Sequence, residues 1–561
     1  MKSSRRQPYI VRLGALLAGA LPVLAFPRVG LDWFAWVALV PGLLIIRSAA
    51  RAREGAVRGW WFGAGYLLAA LYWTVPNIGP GLLLVAIVFG ALWAAWGLAA
   101  WRLRHRTALA LVVLPSIWVT IEYIRSWHAL GGPWGLLGAS QWRHPVVLSL
   151  AAVGGVWLVG FVIVAVNAAV VAVVAEPLAD TASRFRLRAP VGDLVRFVRP
   201  QRADTVRAAR QPERSAGSPQ VAGQRRSAGQ PRAAGPRRAA GPGWIAPLAV
   251  PLAVGLAALA AYGLLGEPPR GRPFTVALVQ PGVVHSPSVR LAAAKRITEG
   301  LPPVDLIVWG ESSVGYDLDR RPDLTAQLTA LTVRGDLLVN EDAEDARGRI
   351  SKSSILFGPD GEEGRYVKTR LVPFGEYIPF RPVLGWLAKI SKAAGRDRVP
   401  GTGVRVLTAD GVPFGPLICF ESAFPDLGRA VVRHGARVIV YQSATSTFQD
   451  SWAPAQHAAL GAVRAAETGR PVVQAALTGV SAAYDPRGRR LAWLDTSQRG
   501  SVVVTLWPVP AGSRTPFDRY GDVVPYLSLA VTALAAGALV IGARRGRRTR
   551  LPQPPELVDR V

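Results

Sequence analysis

Cys419 is the only cysteine in the 561-residue chain, and it follows an apolar run that predicts a buried strand. Glu311 ends a similar run at 305–311, and Lys368 lies in a mixed segment at 365–379. A thiolate that attacks a carbonyl, a carboxylate that takes the thiol proton and an ammonium that stabilises the oxyanion form a complete set for acyl transfer. The sequence therefore predicts a cysteine nucleophile with Glu311 as its general base.

Each of these three residues also has a purely structural interpretation. A free cysteine is usually a small buried hydrophobe, a glutamate is usually a surface carboxylate, and a lysine in a polar turn is usually solvated. Glu311 is favoured as functional because it lies where a buried strand ends, and burial there would raise its pKa toward the range of a general base.

His457 is a competing partner for Cys419, since cysteine–histidine pairs are a common way to activate a thiol. It stands in Gln456-His457, which opens a helix-like segment, and we rank it below Glu311. The sequence has no cluster of His, Cys, Asp and Glu at metal-ligand spacing, and no glycine-rich loop before a helix. No metal, nucleotide or other cofactor is expected.

Several motifs in this chain agree in their order with a known family. They are 371–380 (LVPFGEYIPF), 418–421 (ICFE), 456–457 (QH), 464–471 (RAAETGRP) and 520–522 (YGD). Together with Glu311, Lys368 and Cys419 they resemble the nitrilase (carbon-nitrogen hydrolase) superfamily and, more closely, the apolipoprotein N-acyltransferase family. The resemblance covers nearly the whole chain.

The resemblance implies a Glu-Lys-Cys triad on an αββα sandwich, and this superfamily pattern needs no histidine. It implies transfer of a fatty acyl chain from a phospholipid to the α-amino group of the S-diacylglyceryl cysteine that begins a lipoprotein. Glu376 corresponds to a second acidic residue near the triad, and Glu421 follows the nucleophile by two positions. Either carboxylate orients Lys368 or tunes its charge, or serves as a structural hydrogen-bond acceptor.

The chain departs from the family pattern near its loops. Ala444-Thr445 and Thr447 stand where the family usually has Asn-Asp followed by Trp, 477–479 replaces an Asn-containing version, and Gly310 replaces a common proline. These departures leave the predicted triad in place and affect the expected substrate-facing loops.

The apolar residues come in long blocks, as in a membrane protein, and 50% of the chain is hydrophobic. We expect eight spanning segments of roughly 20 residues each. Their predicted ranges are 9–26, 31–47, 58–76, 81–101, 107–124, 152–175, 244–265 and 523–543.

Basic loops stay on the cytoplasmic side of a membrane, so the arginines predict the orientation. They cluster before the first segment and after the second, fourth and last: Arg5 and Arg6; Arg47, Arg51, Arg53 and Arg58; Arg102, Arg104 and Arg106; and Arg544, Arg545, Arg547, Arg548 and Arg550. We therefore expect a plasma-membrane protein that has both termini in the cytoplasm and residues 266–522 outside.

From residue 273 the pattern changes to short β-rich runs that alternate with helical sequence, which indicates an α/β domain. The predicted fold is a multi-pass α-helical membrane domain of about eight helices with an extracytoplasmic nitrilase-like αββα sandwich. The predicted divisions are 1–175 for six membrane helices, 176–243 for a cytoplasmic loop, 244–265 for the seventh helix, 266–522 for the catalytic domain, 523–543 for the eighth helix and 544–561 for a basic tail.

The net charge of +29 could suggest a nucleic-acid partner, but its distribution does not. The segment 184–238 carries fourteen arginines, no lysine and three acidic residues, a composition that is typical of disorder. Because Phe185 and Phe197 are its only aromatic residues for stacking on bases, it is expected to fix topology and to contact anionic headgroups rather than nucleic acid. The sequence does not identify a protein partner for 176–243.

The segment 125–145 is rich in tryptophan, the residue favoured at headgroup level, and is predicted to lie outside. Trp134 and Gln141 in this segment resemble a family stretch and are candidates for lining the substrate entry, an interfacial belt being the structural alternative. The expected partners are a phospholipid acyl donor, a diacylglyceryl apolipoprotein acceptor and the membrane.

Two other functions remain open at this stage. A membrane-tethered amidase would use water in place of the acceptor amine. A non-catalytic membrane scaffold would anchor a glycosyltransferase for lipid-linked sugars through the arginine-rich loop, although an intact triad disfavours that role.

Overall fold

The computed structural model describes residues 3–188, 245–284, 286–344, 348–386 and 397–548. The helices of its membrane-type part, called here the helical lobe, are α1 Ser3–Ala20, α2 Val40–Arg47, α3 Ala52–Ala70, α4 Val75–Ile78, α5 Gly81–Gly90, α6 Leu92–Arg102, α7 Thr107–Arg125, α8 Pro145–Arg188 and α9 Ile245–Leu264. The remaining helices are α10 Pro287–Glu299, α11 Pro322–Ala330, α12 Arg381–Leu384, α13 Pro425–Arg433, α14 Ala453–Thr468, α15 Pro516–Tyr520 and α16 Val523–Arg548, of which α16 belongs to the helical lobe.

Among the described residues, six helical stretches are long and apolar enough to cross a membrane. They are Pro8–Ala25, Gly81–Arg102, Thr107–Arg125, Pro145–Ala175, Pro247–Leu264 and Val523–Ile541. Each overlaps one of the eight predicted segments. The helix α8 continues past the predicted boundary at 175 to Arg188, although its candidate membrane span ends at Ala175, and the rest of the predicted arginine-rich loop lies outside the described residues.

The segment predicted to span at 31–47 is not one continuous helix. It divides into a 3₁₀ turn at Asp32–Trp36 and the eight-residue α2, which is about 12 Å long at 1.5 Å per residue. Pro41 lies in the first turn of α2, where proline is tolerated, and in the middle of a longer helix it would break the hydrogen-bond pattern.

Asn167 of α8 satisfies the backbone groups at this break. Its side chain accepts a hydrogen bond from the Leu39 N–H at 2.9 Å and donates one to the Ala35 carbonyl at 2.9 Å. Irregular backbone is tolerated at membrane depth where protein groups satisfy it. The other predicted segment without a match, 58–76, overlaps α3, whose first turns carry the charged residues Glu54 and Arg58.

The second part of the chain, called here the sheet lobe, contains two six-stranded sheets. The strands are β1 Phe274–Gln280, β2 Leu306–Trp309, β3 Asp336–Glu344, β4 Ile350–Gly358, β5 Gly361–Val367, β6 Leu407–Ala409, β7 Val412–Ile418, β8 Val438–Ser443, β9 Val472–Ala476, β10 Ser481–Tyr484, β11 Arg490–Leu494 and β12 Gly500–Leu506. Their orders are β12-β1-β2-β3-β4-β5 and β11-β10-β9-β8-β7-β6.

Side-chain alternation along the strands explains the layers. In β1, Val276 and Leu278 enter the core between the two sheets, whereas Ala277 and Val279 pack under the helices α10 and α11. This period of two is that of a strand buried on both faces. The helices α13 and α14 cover the other sheet, so the lobe is an αββα sandwich, as in the nitrilase-like fold.

The sheet lobe packs directly on the helical lobe, through α14 against α8. The α8 backbone breaks at Gly154 and at Gly155, where φ is +70°. The Val156 N–H freed by this break donates a 2.7 Å hydrogen bond to Oε1 of Glu467 on α14. Arg464 on the same helix lies 3.2 Å from the other carboxylate oxygen of Glu467, and both side chains are fully buried.

Candidate active site

The structure brings Glu311, Lys368 and Cys419 together at one end of the sandwich. Each side chain comes just after a strand, Glu311 after β2, Lys368 after β5 and Cys419 after β7. The Lys368 Nζ lies 3.2 Å from Glu311 Oε1, and both charged groups act electrostatically on the Cys419 thiol. Lys368 is fully buried and Glu311 is 5% exposed, so bulk water screens these charges little.

The backbone of Cys419 is left-handed, with φ of +51°, which is uncommon for a residue other than glycine. It forms the sharp junction between β7 and the 3₁₀ turn at Cys419–Ala423. Strained backbone conformations of this kind cluster at functional sites. The Sγ atom lies 3.9 Å from the Ala444 carbonyl oxygen.

The pKa of Glu311 is shifted in the opposite direction to the prediction. Burial favours its neutral form, but the ammonium groups of Lys368 and Lys352, helped by the nearby Cys419 thiol, lower its pKa to about 2. The expected upward shift was wrong because two ammonium groups act on the carboxylate: Lys368 has the larger effect, and Lys352, whose Nζ lies 3.5 Å from Glu311 Oε1 and 2.7 Å from Asp342 Oδ1, adds to it. Glu311 is therefore ionised at neutral pH and available to accept a proton.

The same charges determine the pKa shifts of Cys419 and Lys368. Burial and the neighbouring Glu311 carboxylate raise the pKa of Cys419 well above its ordinary range, although Lys368 opposes the shift. Burial opposes the charge of Lys368, but the carboxylates of Glu311 and Glu376 raise its pKa above the ordinary range. At rest the cluster thus holds a protonated thiol beside an ionic pair.

The structure separates the two alternatives left open for Glu376 and Glu421. Glu376 Oε1 lies 2.9 Å from the Nζ of Lys368, and its other oxygen accepts a bond from the Val372 N–H at 2.9 Å, so Glu376 orients the lysine. No contact of Glu421 with Lys368 is seen among the described residues. Glu421 is a buried hydrogen-bond acceptor that joins the turn after β5 to the turn after β7.

Six hydrogen bonds make this connection. Glu421 accepts them from the Tyr366 hydroxyl at 2.8 and 2.9 Å, from the Thr369 N–H at 2.7 Å and hydroxyl at 2.8 Å, from the Arg370 N–H at 2.9 Å, and from the Ile418 N–H at 2.7 Å. The two turns that carry Lys368 and Cys419 are therefore held by one carboxylate.

A cavity of about 1580 Å³, its open mouth included, extends from Cys419 to the helical lobe. Its wall is predominantly apolar and comes from both lobes, with Leu84 and Val88 on α5 and Phe448 and Phe374 in the sheet lobe. A cavity of this size and character fits an apolar chain, and its inner end reaches the nucleophile.

Trp134 and Gln141 lie in different places. Trp134 lines this cavity, with its ring 6.2 Å from that of Phe420 and 5.1 Å from that of Trp73. Gln141 does not line it. Its buried side chain accepts a bond from Trp36 Nε1 at 3.1 Å and donates one to the Asp32 carbonyl at 2.8 Å, so it stabilises the 3₁₀ turn before α2.

Comparison with known proteins agrees with this two-lobe organisation. Residues 18–169 match the model of the apolipoprotein N-acyltransferase N-terminal domain, and residues 275–509 match that of carbon-nitrogen hydrolase. The chain is 29% identical to the apolipoprotein N-acyltransferase of Geobacter metallireducens over 97% of this chain and 96% of the relative, and 27% identical to that of Pseudomonas paraeruginosa over 97% of each. The chain is similar to apolipoprotein N-acyltransferases over nearly its whole length.

Among solved structures, Nit3 of Saccharomyces cerevisiae, a member of branch 10 of the nitrilase superfamily, is 20% identical with a TM-score of 0.33. That match covers 43% of this chain and 92% of Nit3.

Within the acyltransferase family pattern, two of the departures of this chain lie at the cavity, since Ala444 and Thr445 line it. Thr445 is held by Thr478, whose carbonyl accepts a bond from its N–H at 3.0 Å. A Cβ at Gly310 would lie 1.8 Å from the backbone nitrogen of Leu477, so the close approach of that segment requires glycine. The departures at 310 and 477 are therefore packed against each other.

His457 is buried beside the nucleophile, where its Nε2 contacts a backbone carbonyl and a side-chain hydroxyl. Its Nε2 lies 3.0 Å from the Cys419 carbonyl oxygen and 3.0 Å from Ser422 Oγ. Burial lowers its pKa, and the neutral ring is favoured. This arrangement differs from the cysteine–histidine pair considered from the sequence.

Three residues that support the cluster were not found from the sequence. Lys352 contacts Glu311. Gln442 bridges the two sheets behind it through a 2.9 Å bond from its Nε2 to the Trp309 carbonyl, and Asn340 accepts a 2.8 Å bond from the Ser312 N–H. The described ranges contain no group of three or more His, Cys, Asp and Glu placed to hold a metal ion.

Proposed function

We propose that this protein transfers a fatty acyl chain from a phospholipid to the α-amino group of the S-diacylglyceryl cysteine of a lipoprotein, through a thioester on Cys419. The observation that carries the proposal is the apolar cavity, which joins the helical lobe to the nucleophile. A soluble amide substrate would not need such a wall, whereas a lipid acyl chain does.

The first half-reaction starts from the resting charges. Glu311, already ionised, takes the proton of Cys419 as the thiolate attacks the ester carbonyl, and Lys368 stabilises the oxyanion. The carbon–oxygen bond of the ester then breaks, and Glu311 returns the proton to the leaving lysophospholipid oxygen. The product is an acyl thioester on Cys419.

The second half-reaction transfers the acyl chain to the amine. The amine nitrogen attacks the thioester carbonyl, Glu311 takes one of its protons, and the carbon–sulfur bond breaks. The proton passes to the departing Cys419 thiolate, which restores the resting site. Two half-reactions on one nucleophile predict ping-pong kinetics.

The proposed topology places both termini in the cytoplasm and the sheet lobe outside, as the arginines indicate. The segment 31–47 would then cross as a broken helix. Its 3₁₀ turn and α2 together contribute about 22 Å, and Asn167 satisfies the backbone at the break. With α3 this gives eight crossings.

The experiment is acyl transfer by the purified protein in proteoliposomes. A phospholipid with an alkyne-tagged acyl chain is the donor, and a synthetic diacylglyceryl-cysteine peptide is the acceptor. We expect the tag first on Cys419 and then on the peptide amine, both detected by mass spectrometry, and neither with Cys419→Ser. The surface variant Glu299→Gln serves as the matched control.

The alternatives give different results in the same assay. Release of free fatty acid at one rate with and without the peptide would indicate an amidase-type hydrolase instead. Absence of tag on both Cys419 and the peptide would contradict the proposal and leave the scaffold role.

A further inference from the structure

Neither the fold nor the triad gives a role to Nδ1, the second ring nitrogen of His457. Its Nδ1 is buried and has no hydrogen-bond partner among the residues that the structure describes. Buried polar atoms are nearly always hydrogen-bonded, so an unpartnered one beside a nucleophile is available to water or to a ligand. His457 is 2% exposed and lines the same apolar cavity as Cys419.

The contacts of the other nitrogen define what Nδ1 offers. Nε2 lies 3.0 Å from the carbonyl oxygen of Cys419, which only accepts hydrogen bonds, so Nε2 must carry the proton. In the neutral ring Nδ1 then carries a lone pair and acts as an acceptor. His457, which lines the cavity beside the nucleophile, therefore holds a buried acceptor that matches a ligand donating an N–H or an O–H.

The two proposed substrates differ in this respect. The reacting ester of a phospholipid and the thioester formed from it carry only acceptor oxygens at the reacting carbon. The α-amino group of the acceptor carries N–H donors at the atom that forms the new bond. A lone pair beside Cys419 is thus complementary to the second substrate and not to the first.

We propose that Nδ1 of His457 binds the α-amino group of the acceptor and orients it for attack on the Cys419 thioester. The inference rests on the proposed function. As the carbon–nitrogen bond forms, one N–H hydrogen passes to Glu311, and the other stays on nitrogen, hydrogen-bonded to His457, and remains in the amide product. His457 thus acts from α14, whereas Glu311 acts from the end of β2.

Two substitutions separate the nitrogens of the ring. In His457→Gln, the side-chain amide reaches the position of Nε2 and donates to the Cys419 carbonyl, but no acceptor remains at the position of Nδ1. In His457→Asn, the side-chain oxygen takes the position of Nδ1, and the contact with the Cys419 carbonyl is lost. His457→Gln therefore tests the acceptor role, and His457→Asn tests the structural role.

The two half-reactions are measured separately by intact-protein mass spectrometry. Formation of the acyl-Cys419 species is followed with the tagged phospholipid alone, and its decay is followed after addition of the diacylglyceryl-cysteine peptide. For His457→Gln we expect the decay rate to fall about 100-fold relative to the formation rate, so that acyl-enzyme accumulates. His457→Asn should keep the decay rate within about tenfold of wild type.

His434→Gln, a change at the exposed histidine that directly follows α13, is the matched control. Equal slowing of formation and decay in His457→Gln would overturn the inference, because it would indicate a structural role. Decay at the wild-type rate in His457→Gln would overturn it as well. If wild-type protein forms no acyl-Cys419 species, the proposed function itself fails, and that result is distinct from both.

Discussion

Glu421→Gln is the substitution whose cost follows most directly from the structure. Both carboxylate oxygens of Glu421 accept bonds from backbone N–H groups, one from Ile418 and the other from Thr369 and Arg370. Whichever way a glutamine amide turns, its NH₂ group faces at least one of these donors. One buried N–H therefore loses its acceptor, and the remaining bonds lose the help of a charge.

The expected cost is the sum of these two effects. An unsatisfied buried donor costs about 1–3 kcal/mol, and bonds to a neutral acceptor are roughly half as strong as those to a carboxylate, which together gives about 3–6 kcal/mol. For a lobe of this size the apparent melting temperature should fall by roughly 10 °C. Because the two joined turns carry Lys368 and Cys419, the reactivity of the thiol should change as well.

The assay combines thermal unfolding in detergent with iodoacetamide labelling. Cys419 is the only cysteine, so labelling reports on it alone. Glu299→Gln, an exposed glutamate of α10, provides the control and should behave like wild type. A melting temperature and a labelling rate both unchanged in Glu421→Gln would refute the view that this carboxylate holds the two turns together.

Three further predictions concern the remaining contacts of the site. Lys368→Arg should lower the acyl-transfer rate about 10²–10³-fold, because the buried Nζ lies 2.9 and 3.2 Å from two carboxylates and a planar guanidinium does not fit; a wild-type rate would show that a compact ammonium is unnecessary. Gly310→Ala should destabilise the protein by at least about 1–3 kcal/mol, since the methyl would lie 1.8 Å from backbone, whereas Gly403→Ala has open space and should be neutral in thermal unfolding. The wild-type protein should lose stability as pH falls from 4.5 toward about 2, because Glu311 then becomes protonated. Lys352→Met should raise the pKa of Glu311, so the melting temperature of the variant should begin to fall at a higher pH. Identical pH profiles of the two proteins would contradict the charge assignment.

The positions of Glu311 and Cys419 could be read from the sequence because each follows an apolar strand, whereas Lys368 follows the mixed strand β5 and was placed by the family resemblance. The triad side chains come after β2, β5 and β7, and strand ends of a sandwich meet at one edge. Their charges could not be read in the same way. The pKa of Glu311 depends on Lys352, which is distant in sequence and adjacent only after β3 and β4 pair.

A signal for Lys352 was nevertheless present in the strand pattern. In β4, Leu356 enters the core between the sheets, and Lys352 lies four residues earlier, on the same face by the period of two. A lysine on an inward-facing position needs a buried partner. The inward-facing position of Lys352 in β4 would have indicated a second cation near the site.

In the helical lobe, the sequence located the apolar segments but not the contacts between them. Hydropathy located the blocks, but the break within 31–47 depends on Asn167, which lies more than 100 residues away and completes the backbone bonding there. Gln141 similarly bonds to the Asp32 carbonyl. A tryptophan-rich segment predicts an interfacial position without showing which side chains meet the cavity and which support the chain.

The joint between Glu467 and the broken helix α8 has a consequence for how this protein is handled. The Val156 N–H finds its acceptor only in the other lobe, and the α14 alanines that pack there, Ala458, Ala459, Ala462, Ala465 and Ala466, belong to a core shared with the membrane-type helices. Cutting the chain at the lobe boundary would expose these alanines to solvent and would remove the backbone donor of the buried Glu467 carboxylate. A truncated, soluble hydrolase fragment is therefore not a smaller version of this molecule, and screens for inhibitors need the full-length chain in a lipid environment.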